Sequence, residues 1–106
     1  MAWLPKTLRI GYETYTVIPM ASTAEDEGSF SSEANTIKAK VEGRGSRAIA
    51  NTLLHEILHG IFYQSGLGET CQQEEAVVNS LANGLSQVMR DNPEAMRRIL
   101  KMATSK

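Results

Sequence analysis

The chain has 106 residues, 22% of them charged, with a formal net charge of -1 and one cysteine. This length suits a single domain with one modest core, which residues 1–106 are expected to form. The charge gives no support for nucleic-acid or membrane-surface binding, and one cysteine excludes an intramolecular disulfide. Because the start lacks a signal-peptide core and no apolar run could span a membrane, a soluble cytoplasmic protein is expected.

The first third of the chain predicts β structure. Residues 7–20 alternate β-branched, aromatic and polar side chains, with a turn or bulge at residues 11–13 between two short strands. Residues 22–32 are rich in Ser, Glu and Gly, which predicts a loop. Residues 35–41 alternate again, which predicts a half-buried strand that could lie at a sheet edge.

Three helices are predicted in the rest of the chain. The first spans about residues 47–63, with Ser46 as its N-cap, because apolar side chains recur there at helical spacing. The second spans about residues 71–90 with a long apolar stripe, and the third about residues 93–102, beginning at a proline. The predicted fold is therefore α+β, with a small, mainly antiparallel sheet packed on the first helix and the other helices behind it.

The first helix carries an H-E-x-x-H motif, formed by His55, Glu56 and His59. Residues four apart share a helix face, so both imidazoles can reach one tetrahedral zinc ion. Glu56 lies on the same side, where it could take a proton from a zinc-bound water. On a helical wheel these side chains lie in one arc with Thr52 and Tyr63. The opposite, apolar arc is expected to face the core, and it consists of Ala50, Leu53, Leu54, Ile57, Leu58 and Ile61.

Two histidines alone cannot complete a zinc site, which needs at least three protein ligands, and the chain contains no third histidine. The remaining ligand must be a carboxylate or Cys71, and Glu74 and Glu75 begin the second helix. Glu75 is favoured because Asn79 shares its face and could orient a ligand histidine through a supporting hydrogen bond. Glu74 stays as the alternative ligand, or as a solvated carboxylate that the helix N-terminus favours.

The sequence H-E-I-L-H at residues 55–59, followed by E-A-V-V-N at residues 75–79, resembles the gluzincin pattern. In that group two histidines on one helix and a glutamate on the next bind zinc. The chain is similar in particular to small phage- or prophage-encoded metallopeptidase-like proteins, which are distantly related to ImmA/IrrE-type and SprT-like peptidases. The resemblance covers roughly residues 36–93.

The resemblance implies a zincin-like peptidase in which His55, His59 and Glu75 bind zinc. It also implies that Glu56 is the general base toward water and then the proton donor to the leaving amine. The last residue of the gluzincin segment, here Asn79, would support a ligand histidine.

A peptide or protein substrate follows from the same resemblance. The strand at residues 35–41 would run along the site and pair with an extended peptide. Larger gluzincins supply a further His or Tyr to stabilise the oxyanion, and Tyr63 is the candidate here. The alternative is a non-catalytic zinc-binding domain that serves as a protein-interaction module. The presence of Glu56 with only three evident ligands favours catalysis.

Overall fold

The computed structural model describes residues 3–70 and 72–106, which form a four-stranded sheet followed by helices. Strands β1 (Thr7–Ile10) and β2 (Glu13–Met20) form an antiparallel hairpin, as predicted. Strand β4 (Thr36–Lys40) pairs parallel to β2, and β3 (Gly28–Ser31) pairs antiparallel to β4, which gives the order β1-β2-β4-β3. The predicted α+β class and the mostly antiparallel sheet are therefore confirmed.

Two predictions about this sheet are wrong. The segment 22–32 is not all loop, because Gly28–Ser31 forms β3. The strand within residues 35–41 is not at an edge, because β4 is paired on both sides. The predicted alternation within β4 is confirmed, since Ile37 and Ala39 are both fully buried. Pairing with β4 makes β3 a strand although its own sequence has little β propensity.

Within the described residues four helices follow the sheet, and their bounds are α1 (Ser46–Ser65), α2 (Leu67–Thr70), α3 (Glu74–Asp91) and α4 (Pro93–Ala103). The N-cap of α1 is Gly45 rather than Ser46, and no side-chain hydrogen bond caps this end. Gly66 ends α1 in the left-handed conformation, with φ of 80°, which glycine adopts without steric cost. The short α2 was not predicted, and Cys71 lies outside the described residues.

Helix α1 packs on the sheet over a small core. The core consists of Ile10, Tyr15 and Ile37, with Leu8, Phe30, Leu53 and Ile57 packed against it. Gly60 sets the distance between helix and sheet, because a Cβ there would lie 2.8 Å from Ile10 Cδ1 and 3.2 Å from Phe30 Cε1. The absence of a side chain at Gly60 therefore lets the helix lie close to the sheet directly after His59.

The predicted separation of an apolar and a chemical face on α1 is wrong. Thr52 and Glu56 are 6% and 5% exposed, whereas Ala50 and Ile61, placed in the apolar arc, are exposed. The reason is that β3 packs against the side of α1 that carries Thr52 and Glu56. A Cβ at Gly28 would lie 2.6 Å from Thr52 Cγ2 and 2.9 Å from Glu56 Oε2.

Helix α3 buries much less of its apolar stripe than predicted. Its buried residues are Val78 and Ala82, while the other members of the stripe are exposed, namely Val77, Leu81, Leu85, Val88 and Met89. Along α4, all of whose residues are described, none is buried. Among the described residues, no helix combines the length and apolar character needed to cross a membrane.

Candidate metal centre

The two helices that carry the predicted ligands pack against each other along their length. Asn51 on α1 donates from Nδ2 to Asn83 Oδ1 at 2.9 Å and to Ser86 Oγ at 3.2 Å, which joins α1 to the later turns of α3. Gly66 and α2 return the chain so that α3 begins beside His59. Both glutamates in the first turn of α3 therefore face the histidines of α1.

Three of the predicted ligands converge on one point. His55 Nε2 lies 2.7 Å from Glu75 Oε1, and His59 Nε2 lies 2.9 Å from Glu75 Oε2. The two Nε2 atoms are 3.2 Å apart. One nitrogen from each histidine and one oxygen of Glu75 lie within 4.8 Å of one another. The structure thus brings together His55, His59 and Glu75, as expected from the sequence.

The donor set and its spacing fit a zinc ion. Zinc takes imidazole nitrogen and carboxylate oxygen at about 2.0–2.2 Å, so neighbouring ligand atoms of a tetrahedral site lie about 3.3–3.5 Å apart. The two Nε2 atoms, 3.2 Å apart, are close to this value. They lie 2.7 and 2.9 Å from different oxygens of Glu75, so side-chain shifts are needed before one ion can take a ligand atom from each residue. If these three residues held zinc, a fourth position would remain for water, as in catalytic zinc sites.

Glu74 does not behave as a solvated carboxylate at the helix N-terminus. Its side chain is only 26% exposed, and its Oε2 lies 2.5 Å from His59 Nδ1. A Cβ at Gly68 in α2 would lie 3.0 Å from Glu74 Oε1. Glu74 is therefore enclosed between α1 and α2, in a position that sequence reasoning did not assign to it.

Glu56 reaches the centre from the buried side of α1. Burial raises the pKa of Glu56 from its ordinary value of 4.5 to about 7. His59 opposes this rise, while the carboxylates of Glu75 and Asp26 add to it. Asp26, in the segment before β3, was missed by sequence reasoning, because no pattern in this polar segment indicates that it folds toward the motif helix.

An open groove of about 630 Å³ adjoins the cluster. Its walls come from α1, from the start of α3 and from β3, and they include Gly28, Ser29, Phe30, His55, Glu56 and His59. Among residues 3–70 and 72–106, β3 pairs with β4 alone, so its other edge is free. The groove thus places a strand edge beside Glu56 and the converging ligands.

Tyr63 and Asn79 both border this region. Tyr63 is 54% exposed and lines the groove, with its ring centroid 6.0 Å from that of Phe30. Asn79 is exposed and lines an adjoining groove beside His55 and Glu75. Within the described part of the chain, Asn79 makes no hydrogen bond to either histidine. Its supporting role stays a prediction, as does the role of Tyr63 as an oxyanion donor.

No protein-family model, curated protein or solved structure matches this chain. The resemblance to gluzincins therefore depends on the motif residues alone.

Proposed function

We propose that this protein is a zinc-dependent peptidase that hydrolyses a peptide bond in a protein or peptide substrate. The observation that carries the proposal is the convergence of His55, His59 and Glu75 beside a buried Glu56, at the wall of an open groove. We include a cytoplasmic location in the proposal, with no role for nucleic acid or a membrane.

His55, His59 and Glu75 would hold the metal. A bound zinc ion would polarise the scissile carbonyl and lower the pKa of water toward neutrality. These three residues also hold one another in the protein itself, through the contacts of Glu75 with both rings. The carboxylate at the start of α3 is further favoured there by the helix dipole.

Glu56 would act as general base and then as general acid. In the metal-free protein burial raises the pKa of Glu56 to about 7, and a zinc ion bound beside it would favour the carboxylate form that a general base requires. Glu56 would accept a proton from the attacking water as the water oxygen bonds to the carbonyl carbon. It would then deliver that proton to the amine nitrogen as the carbon–nitrogen bond breaks.

The free edge of β3 would orient the substrate. An extended peptide that adds to this edge gains backbone hydrogen bonds, and its side chains alternate between the groove and solvent. We assign this role to β3 and not to the strand at residues 35–41, because that strand, β4, is paired on both sides. Tyr63 lies at the same groove, where its hydroxyl could donate a hydrogen bond to the developing oxyanion.

The alternative function is a non-catalytic zinc-binding interaction module. The exposed apolar side chains of α3 and α4 favour it, because such surfaces often bind a partner. The burial of Glu56 favours the peptidase, because a carboxylate is costly to bury and a structural zinc site has no use for a base.

The test combines metal analysis with a cleavage assay. The purified protein should bind about one zinc ion per chain after reconstitution, and it should cleave a mixture of unfolded peptides, read by mass spectrometry. Glu56→Gln should keep the zinc and lose cleavage. Glu33→Gln, a change of the same type at an exposed residue outside the groove, is the matched control. Cleavage by Glu56→Gln at the parent rate would refute the mechanism, and the absence of bound zinc would refute the site.

A further inference from the structure

The two carboxylates at the start of α3 hold opposite nitrogens of one imidazole ring. Glu74 Oε2 lies 2.5 Å from His59 Nδ1, and Glu75 Oε2 lies 2.9 Å from His59 Nε2. Nε2 is the nitrogen that faces His55 and the metal-ligand cluster. Glu74 therefore contacts the ring on the side turned away from that cluster.

The two glutamates also differ in their surroundings. The Glu75 side chain is 71% exposed, as suits a group at the open wall of the groove, whereas the Glu74 side chain is 26% exposed. A Cβ added at Gly68 would lie only 3.0 Å from Glu74 Oε1, so the backbone of α2 is close to this carboxylate. Any side chain at Gly68 would press on the Glu74 carboxylate, so α2 helps to keep it against His59.

We propose that Glu74 is a positioning residue, which accepts a hydrogen bond from His59 Nδ1–H and so fixes the ring orientation and the tautomer that leaves Nε2 free for the metal. Histidines that bind metals commonly donate their other ring N–H to a carboxylate, which also makes them stronger ligands. The gluzincin resemblance assigns such support to Asn79, four residues after the ligand glutamate. Here it comes from the residue that precedes the ligand. The inference rests on the proposed zinc site, but one of its tests needs no metal.

The first test measures zinc affinity by competition with a chelator. It compares the parent protein with Glu74→Ala and Glu74→Gln. Removing the carboxylate should weaken zinc binding by about 10–100-fold. Glu74→Gln should recover most of that loss, because an amide oxygen still accepts a hydrogen bond from Nδ1–H. Glu94→Ala is the matched control, since Glu94 is the acidic residue in the first turn of α4. It should bind zinc as the parent does.

The second test reads the tautomer of His59 in the metal-free protein by ¹⁵N NMR of its ring, at a pH where the ring is neutral. The parent and Glu74→Gln should show the Nδ1–H form, and Glu74→Ala should lose it. Gly68→Ala keeps the carboxylate but crowds it, so its spectrum and its zinc affinity should lie between those of the parent and Glu74→Ala. A role in folding alone would leave the tautomer unchanged.

The outcomes separate this inference from the proposed function. Equal zinc affinity in the parent and Glu74→Ala, with an unchanged tautomer, would overturn the role of Glu74. Loss of all zinc in Glu74→Ala with retention in Glu75→Ala would also overturn it, because Glu74 would then be the ligand itself. If the parent binds no zinc, the proposed function fails, and the tautomer still decides whether Glu74 positions His59. Should Glu74→Ala not fold, the Gly68→Ala spectrum decides.

Discussion

The two regions of the molecule differ in how far they bury their apolar side chains. The sheet and α1 form the first region, and α3 and α4 form the second. Tyr15 and Ile37 are 1% and 0% exposed within the first region. In the second, Ile99 is 50% and Leu100 is 63% exposed. Buried apolar area is the main favourable contribution to folding, so the first region holds most of the stability of the chain.

The candidate metal centre lies where these two regions meet. His55 and His59 come from the helix that packs on the sheet, whereas Glu75 comes from the helix that buries only two residues. A metal ion bound by residues of both regions would couple its binding to the packing of α3 against α1. The predictions that follow test this difference, in order of decreasing effect on the free energy of unfolding.

The same substitution in the two regions should have very different costs. Ile37→Ala removes a fully buried side chain and should lower the free energy of unfolding by about 2–5 kcal/mol. Ile99→Ala, at a half-exposed position on α4, should change it by no more than about 0.5 kcal/mol. Urea unfolding followed by circular dichroism measures both. Equal costs would show that α4 is packed more tightly than its exposure indicates.

Zinc should stabilise the protein only when both histidines are present. At a free zinc concentration of 100 times the dissociation constant, the gain in free energy of unfolding is about 2.7 kcal/mol. His59→Ala should abolish most of this gain in thermal unfolding with and without zinc. An equal zinc response in His59→Ala and in the parent would contradict the assignment of the ligands.

Without metal, the buried Glu56 should destabilise the fold at high pH. The pKa of Glu56 in the folded protein is about 7, above its ordinary value of 4.5. Between pH 4.5 and about pH 7 the folded state therefore keeps a proton on Glu56 that the unfolded state has lost. Stability therefore falls as pH rises through this window. In chelator-treated protein, Glu56→Gln should gain about 1–3 kcal/mol over the parent at pH 8 and nothing below pH 4.5. Identical pH profiles for the two proteins would contradict the raised pKa.

The ion pairs on α4 should contribute least. Glu94 pairs with Arg97 and with Arg98 on the surface of this helix. Exposed pairs of this spacing are worth about 0.3–0.5 kcal/mol, and salt screens them. Glu94→Gln should therefore lower the unfolding midpoint slightly at low ionic strength and not at high ionic strength. A large effect that persists in salt would mean that α4 docks through these residues.

The sequence predicted the parts of the molecule that local periodicity determines. The β1–β2 hairpin, the extent of α1 and the convergence of His55, His59 and Glu75 follow from alternation, helical spacing and the motif. Strand β3 was missed because its pairing with β4 is a tertiary effect that Gly28–Ser31 does not reveal by itself.

Two details of the centre depend on that same tertiary arrangement. The burial of Glu56 requires β3 to pass beneath α1, so a helical wheel could not reveal it. Glu74 and Glu75 are neighbours, about 100° apart around α3, and which of them faces a given nitrogen depends on the angle at which α3 meets α1. Periodicity within one helix contains no information about that angle.

The free edge of β3 also bears on how copies of this chain behave toward one another. An unpaired strand edge is a template for pairing with other strands, including the same strand of a second molecule. Here the edge is only four residues long and directly follows Glu25, Asp26 and Glu27, which are all exposed. Glu27 is paired with Arg44 within the chain. In a parallel pair of such edges Glu25 and Asp26 of the two copies would lie side by side, and in an antiparallel pair Asp26 would approach Glu33 of the other copy. We therefore expect these carboxylates to disfavour edge-to-edge aggregation.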